Sequence, residues 1–258
     1  MKFGNIISEM ERIADPKLAC EWDNSGVQIY SGKDDIKKIM IALEITRSVI
    51  GEARDRGIDL IITHHPLFFE PVVNIDSNTV TGNYAAELIK AGISVYSAHT
   101  NFDEAKGGNN DYLSSLLKLA GAQKIGDSAE GTGRAGELPA EMPFEGVCAY
   151  VKESLALPHI ITVGNPAAQI RKAGLCCGSG SHLIEAAAKA CCDLFITGDI
   201  KYHTARYALE RGICLIDAGH YGTEKFFAEN LAGRLAAVLK GEAEIISAAL
   251  DIDPFSVY

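Results

Sequence analysis

Short apolar runs recur along the chain, each closed by polar or glycine-containing residues. Lys38–Leu43, Asp59–Thr63, Ile93–Ser97, Ile160–Val163, Arg171–Cys177 and Asp193–Thr197 are short enough, and rich enough in branched side chains, to read as buried strands. Between them the apolar spacing turns helical over residues 5–14, Thr46–Arg56, Tyr84–Ala91, Asn109–Ala120, Phe144–Ala156, His182–Cys192 and Thr223–Leu239. Thr46 suits an N-cap and Gly57 a helix stop. Strand–helix–strand alternation predicts parallel sheets joined by right-handed crossovers, hence an α/β protein.

The second half of the chain repeats the first. Asp59-Leu60-Ile61-Ile62-Thr63 overlays Asp193-Leu194-Phe195-Ile196-Thr197 at an offset of 134 (193 − 59), which also carries Ile41 onto Leu175, Ile50 onto Ile184 and Ala53 onto Ala187. Further on, Gly92–Tyr96 resembles Gly212–Ile216, and after a one-residue slip His99 falls on His220 and Asp103 on Glu224. The expectation is two related α/β lobes facing each other across a metal-binding cleft. The first lobe is residues 1–125, with a C-terminal helix over 224–258 packing back on it. The second is residues 126–223. Glycines and prolines crowd residues 126–145, which reads as a linker.

Composition narrows the function classes. The 258 residues are 47% hydrophobic and 22% charged, with a formal net charge of −10. An acidic surface disfavours general electrostatic binding to nucleic acid. Seven cysteines without a C-x-x-C read as packing residues in a reducing compartment rather than a disulfide framework. Met1-Lys2-Phe3-Gly4-Asn5 opens no signal-peptide pattern, and no apolar run suits a membrane span. A soluble, cytoplasmic protein is expected.

The chemistry-bearing residues sit at the carboxyl ends of strands, where ligands bind in open parallel sheets. His64 and His65 follow strand Asp59–Thr63, and Pro66 pushes His65 towards an extended backbone. Adjacent side chains on an extended backbone point to opposite sides, which suits two metal ions better than one. His99 and Asp103 follow the next strand. Asp199, His203, His220 and Glu224 follow strands of the second half. Such a mixed imidazole and carboxylate set suits zinc, iron, manganese, cobalt or nickel. Two divalent ions per subunit, clamping an attacking hydroxide, would support hydrolysis. His99 and His203 are the candidates for positioning or protonating a substrate. The competing readings are helix caps for Asp103 and Glu224 and plain surface or packing roles for His159 and His182. Gly178-Ser179-Gly180 before a helix is a weak anion signal.

Five stretches together resemble the Nif-three-like family, whose members are commonly labelled GTP cyclohydrolase 1 type 2 homologues. They are Trp22–Gly26, Thr63–Phe69, Ser97–Asp103, Gly198–His203 and Asp217–Glu224. The resemblance runs from near residue 5 to about residue 240, in family order. It implies a toroidal homohexamer with a dinuclear metal centre in each subunit. By motif position, it implies that the metal ligands are His64, His65, Asp103, His220 and Glu224. It further implies a metal-dependent hydrolase with a purine nucleotide, GTP, as substrate. The alternatives are a non-enzymatic metal-binding or regulatory hexamer and a two-metal phosphoesterase.

Overall fold

The computed structural model describes residues 1–127, 131–249 and 252–256. The chain divides into two compact units, one formed by Met1–Ala105 with Phe226–Tyr258, the other by Lys106–Lys225. The boundary expected at residue 126 therefore falls inside the second unit.

The first unit opens with helix α1 (Phe3–Ile13), followed by β1 (Gly26–Ile29), β2 (Lys38–Ala42), α2 (Arg47–Arg56), β3 (Leu60–Thr63), α3 (Val80–Ala91), β4 (Ser94–Ser97) and α4 (Thr100–Glu104). The second unit runs α5 (Asn109–Leu116), β5 (Ala120–Asp127), β6 (Gly131–Pro143), α6 (Phe144–Ser154), β7 (Ile161–Val163), β8 (Gln169–Leu175), α7 (Ile184–Lys189), β9 (Leu194–Thr197), α8 (Tyr202–Arg211), β10 (Cys214–Asp217) and α9 (His220–Glu224). The chain then returns to the first unit with α10 (Phe227–Leu239) and β11 (Glu244–Ser247). The expected helix over 224–258 is thus a helix followed by a strand.

The first sheet has the order β1-β4-β3-β2-β11, parallel except for β1, which is antiparallel to β4. Its central strands are buried on both faces, which is why they read as continuous apolar runs. Alternation divides them between two cores. Ile39, Ile41, Leu60 and Ile62 pack with α1 and with Phe227, Leu231 and Leu235 of α10. Met40, Ala42 and Ile61 pack with Val49, Ile50 and Ala53 of α2 and Ala85 and Leu88 of α3. Thr46 caps α2 by accepting from the Val49 N–H, and Gly57 ends it in the left-handed conformation. α3 begins at Val80, earlier than its apolar spacing suggests, because Thr79 caps it by accepting from the Gly82 N–H.

The second sheet has the order β5-β6-β8-β9-β10-β7, with β8, β9 and β10 parallel and the outer pairings antiparallel. Residues 126–145 are therefore not a linker. Most of them form β6 and the end of β5, with 128–130 outside the described residues. Their glycines admit close strand contact: a Cβ on Gly133 would overlap the Leu175 carbonyl. Likewise Asn109–Ala120 is a shorter helix, and Ala120 already opens β5.

The repeat extends to register. Ile41 pairs with Ile62 in the first sheet, and Leu175 with Ile196 in the second, each residue displaced by 134 (175 − 41 and 196 − 62). The Ala98 N–H donates to Thr63 O at 2.8 Å, as Ala218 does to Thr197 O at 2.8 Å. The one-residue slip falls immediately afterwards, at Gly219. Among the described residues no helix is long and apolar enough to cross a membrane. The seven cysteines are free thiols, and burial pushes Cys192 up to about 11.

Candidate metal centre

In the first unit, β3 ends at Thr63 and the chain bends. The N–H groups of His64 and His65 both donate to Leu43 O, at 3.1 and 2.9 Å. An extended chain alternates its N–H directions, so this shared acceptor rules out the extended backbone expected for the pair. The rings consequently lie on one side, with centroids 5.1 Å apart, rather than on opposite sides. His99 joins them: one imidazole nitrogen from each of His64, His65 and His99 lies within 4.8 Å of the other two.

His64 is fully buried, and its Nδ1 lies 2.9 Å from Ala98 O. A carbonyl only accepts, so Nδ1 carries the proton and Nε2 presents a lone pair. That Nε2 lies 3.6 Å from Asp103 Oδ1, on α4. Phe227 packs against the same ring at 5.1 Å. The Nδ1 of His99 lies 2.8 Å from Asp23 Oδ1. Asp23 also accepts from the Thr100 N–H at 3.1 Å, the Thr100 hydroxyl at 2.6 Å and the Ser25 hydroxyl at 2.7 Å. Burial pushes the Asp23 carboxyl up, but His99 and the Thr100 and Ser25 hydroxyls outweigh it and hold Asp23 well below the usual carboxylate range. An ionised Asp23 fixes the proton of His99 on Nδ1, again exposing Nε2. His65 Nδ1 lies 3.8 Å from Glu44 Oε2.

In the second unit, α9 carries both His220 and Glu224, so the H-x-x-x-E spacing is a same-face pair one turn apart. Helical structure thus begins at His220, ahead of the Thr223 start that the apolar spacing suggests. His220 Nε2 lies 3.1 Å from Glu224 Oε2, and its Nδ1 lies 2.7 Å from Asp199 Oδ2. Glu224 is 3% exposed, deep burial for a carboxylate. Gly178 makes its space. Its φ is +62°, and a Cβ there would overlap Glu224 Oε1 and lie 3.1 Å from His220 Nε2.

The sequence candidates thus belong to both units. His64, His65, His99 and Asp103 come together in the first unit. His220, Glu224 and Asp199 come together in the second. His203 is exposed in the first turn of α8, stacked edge-on against Tyr202 at 5.4 Å, and joins neither set. Sequence reasoning missed Asp23 and Glu44 as partners of His99 and His65. The helix after Gly178-Ser179-Gly180 is only Ile184–Lys189, preceded by a 3-10 turn, so the weak anion signal finds no long helix to support it.

The donor chemistry fits a divalent transition metal. Each of His64, His99 and His220 has its Nδ1 engaged by an oxygen, a carbonyl in one case and carboxylates in two. Metal-binding histidines are oriented that way, with the other nitrogen left to the ion. Buried carboxylates beside them supply negative charge.

The Duf34/NIF3 (NGG1p interacting factor 3) family model matches residues 1–254. A Clostridium perfringens protein named GTP cyclohydrolase 1 type 2 homolog is 35% identical over 259 residues, covering 99% of each chain. The solved structure of a Bacillus cereus protein related to NIF3 superposes with a TM-score of 0.91 at 24% identity, covering 100% of this chain and 99% of that one. Reduced HcgD from Methanocaldococcus jannaschii gives a TM-score of 0.85 at 33% identity, covering 97% and 98%. With the fold and the match both spanning the chain, the protein belongs to the Duf34/NIF3 family.

Proposed function

We propose that the protein is a metal-dependent hydrolase of the GTP cyclohydrolase 1 type 2 kind, built on a dinuclear centre. The observation that carries the metal reading is the histidine arrangement: His64, His99 and His220 each have Nδ1 held by an oxygen, and the Nε2 atoms of His64 and His220 face the carboxylates of Asp103 and Glu224. The hydrolytic part rests on similarity to relatives that carry that name. In this reading the ligands would be His64, His65, Asp103, His220 and Glu224, since a single histidine–carboxylate pair is too few donors for a stable site. Divalent ions held by these residues would supply Lewis acidity for attack by water.

This chain's own residues supply the rest. Asp23 holds His99 beside His64 and His65, where it can bind a metal or pass a proton to a substrate. His203 is the more distant acid–base candidate, on an exposed helix turn. The proposed assembly is a homohexamer, to be checked by light scattering.

The test is direct. Protein loaded separately with zinc, iron, manganese, cobalt or nickel is incubated with GTP, and formate release is measured. Formate in proportion to GTP consumed supports cyclohydrolysis. Release of phosphate or hydrolysis of a phosphodiester panel instead would redirect the reading to a two-metal phosphoesterase. No turnover with any of these metals would leave a metal-binding, non-enzymatic protein. His65→Ala should lower bound metal at unchanged circular dichroism, and full metal content would overturn the ligand assignment.

A further inference from the structure

Beside the histidines of the first unit stands an aromatic pair that nothing above uses. Trp22 and Phe69 stack with centroids 5.8 Å apart and planes 27° from parallel. Both make T-shaped contacts with the His99 ring, at 6.0 and 5.7 Å. Yet Trp22 is 55% exposed and Phe69 53% exposed. A large aromatic ring in water forgoes much of its burial energy, and a paired exposure at one spot marks a surface that receives something.

The pair is also held in place. Asn24, two residues after Trp22, donates from Nδ2 to Phe68 O at 2.6 Å. Gln28 accepts the Phe68 N–H on Oε1 at 3.2 Å and donates from Nε2 to Asn24 O at 2.7 Å. Both backbone groups of Phe68 are thereby clamped by side chains of the segment that carries Trp22. Phe69 cannot drift from Trp22 without breaking this clamp. A preformed exposed stack costs a ligand little ordering entropy.

We propose that Trp22 and Phe69 form a stacking platform for a planar, nitrogen-containing heterocycle, which lays its face on the exposed aromatic surface and its edge towards His99. A π-stacking platform accepts any flat ring system, so the recognised class is broader than guanine. The edge-on contact of His99 with both rings sets the stacked ligand one ring away from His64 and His65, whose centroids lie 5.0 and 5.7 Å from that of His99. The inference deepens the nucleotide reading by naming where the base rests.

Trp22 is the only tryptophan in the chain, so its emission reports on its own surroundings without interference. Metal-loaded protein is titrated with GTP, guanosine and riboflavin, exciting at the red edge of the indole band. Saturable quenching by at least one of them is expected. Equilibrium dialysis with the same compound then tests variants. Trp22→Leu and Phe69→Leu should each weaken binding about tenfold, and Trp22→Phe should keep most of the affinity. All three should keep wild-type metal content, which shows that the neighbouring histidines are undisturbed.

Absence of quenching by all three compounds would overturn the platform, as would leucine variants that bind like wild type. Emission that shifts on dilution of the protein alone would also overturn it, assigning the pair to a contact between copies. The outcomes separate this inference from the reaction. Quenching without formate leaves the platform standing and removes cyclohydrolysis. Formate release with silent Trp22 emission and an unchanged KM in Trp22→Leu does the reverse.

Discussion

The two units share one framework at the starts of their parallel strands and differ at the ends. Asp59 Oδ2 accepts the N–H groups of Lys37 and Lys38, at 2.7 and 3.0 Å. Asp193 Oδ2 accepts those of Arg171 and Lys172, at 3.0 and 2.9 Å, and every pair differs by 134 (193 − 59, 171 − 37, 172 − 38). Even Lys38 Nζ to Arg56 O at 3.1 Å has its counterpart in Lys172 Nζ to Ala190 O at 2.6 Å. At the carboxyl ends the correspondence fails. Where the first unit has Glu44, His64 and His65, the second has Gly178, Gly198 and Asp199, by the same offset. A buried carboxylate that sets strand register must stay, whereas a strand end can trade bulk for space. The second unit spends glycine to admit Glu224, and the first fills the same places with side chains.

The sharpest way to break this comparison is to fill the space. Gly178→Ala should destabilise the second unit by about 3 kcal/mol, from a left-handed φ and a collision with buried Glu224. Metal content should fall by more than half. Urea denaturation and elemental analysis check both, and a variant with normal stability and metal would show that the gap beside Glu224 is incidental.

Next come the two carboxylates that orient histidines. Asp23→Asn should weaken metal binding by about tenfold to a hundredfold, because Asp23 is buried and also ties Thr100 and Ser25. Asp199→Asn should cost less than about tenfold, since the Asp199 side chain is half exposed and its bond to His220 is open to solvent. Competition with a chromophoric chelator measures both. Equal losses would mean that the two units hold their histidines in the same way.

The framework itself is tested through stability rather than metal affinity. Asp59→Asn should cost about 2 kcal/mol and Asp193→Asn about 1 kcal/mol, both through charge-assisted bonds to backbone N–H groups. Asp59 is the more buried, and it also pairs with Lys33. Burial pushes the Asp59 carboxyl up, but Lys33 and the N–H groups of Lys37 and Lys38 outweigh it and hold it below the usual range. A carboxyl lowered in the folded state contributes its stability above the unfolded value and loses it as pH falls through the folded value. Wild type should therefore lose stability on acidification below the usual carboxylate range, and Asp59→Asn should show a flatter acid limb. Parallel acid limbs would contradict this.

The continuous apolar runs made the parallel strands legible, because burial on both faces leaves few polar positions. The repeat was legible for the same reason, and its register follows the offset read from the chain. The bend at His64 and His65 was not legible. It depends on Leu43 O, which pattern alone does not connect to them. Nor was Asp23, whose bond to His99 spans 76 positions and whose neighbours look like an ordinary turn. Residues 126–145 misled because glycine serves loops and closely packed strands alike, and only the contact of Gly133 with Leu175 tells them apart. His203 looked like part of the set by nearness in sequence, but α8 leaves it in solvent.

The first sheet takes its last strand from beyond the second unit. Ser247 pairs with Ile41, 206 residues earlier (247 − 41), while every strand of the second sheet lies within one continuous stretch. On a chain made from its N-terminus, the second unit has all its strands before the first has its fifth. Until β11 arrives, β2 is an open parallel edge of apolar character, the kind of edge that pairs with the wrong partner. Truncation ahead of residue 244 would make that condition permanent, so the intact C-terminal segment is a requirement for safe biogenesis as much as for the finished sheet.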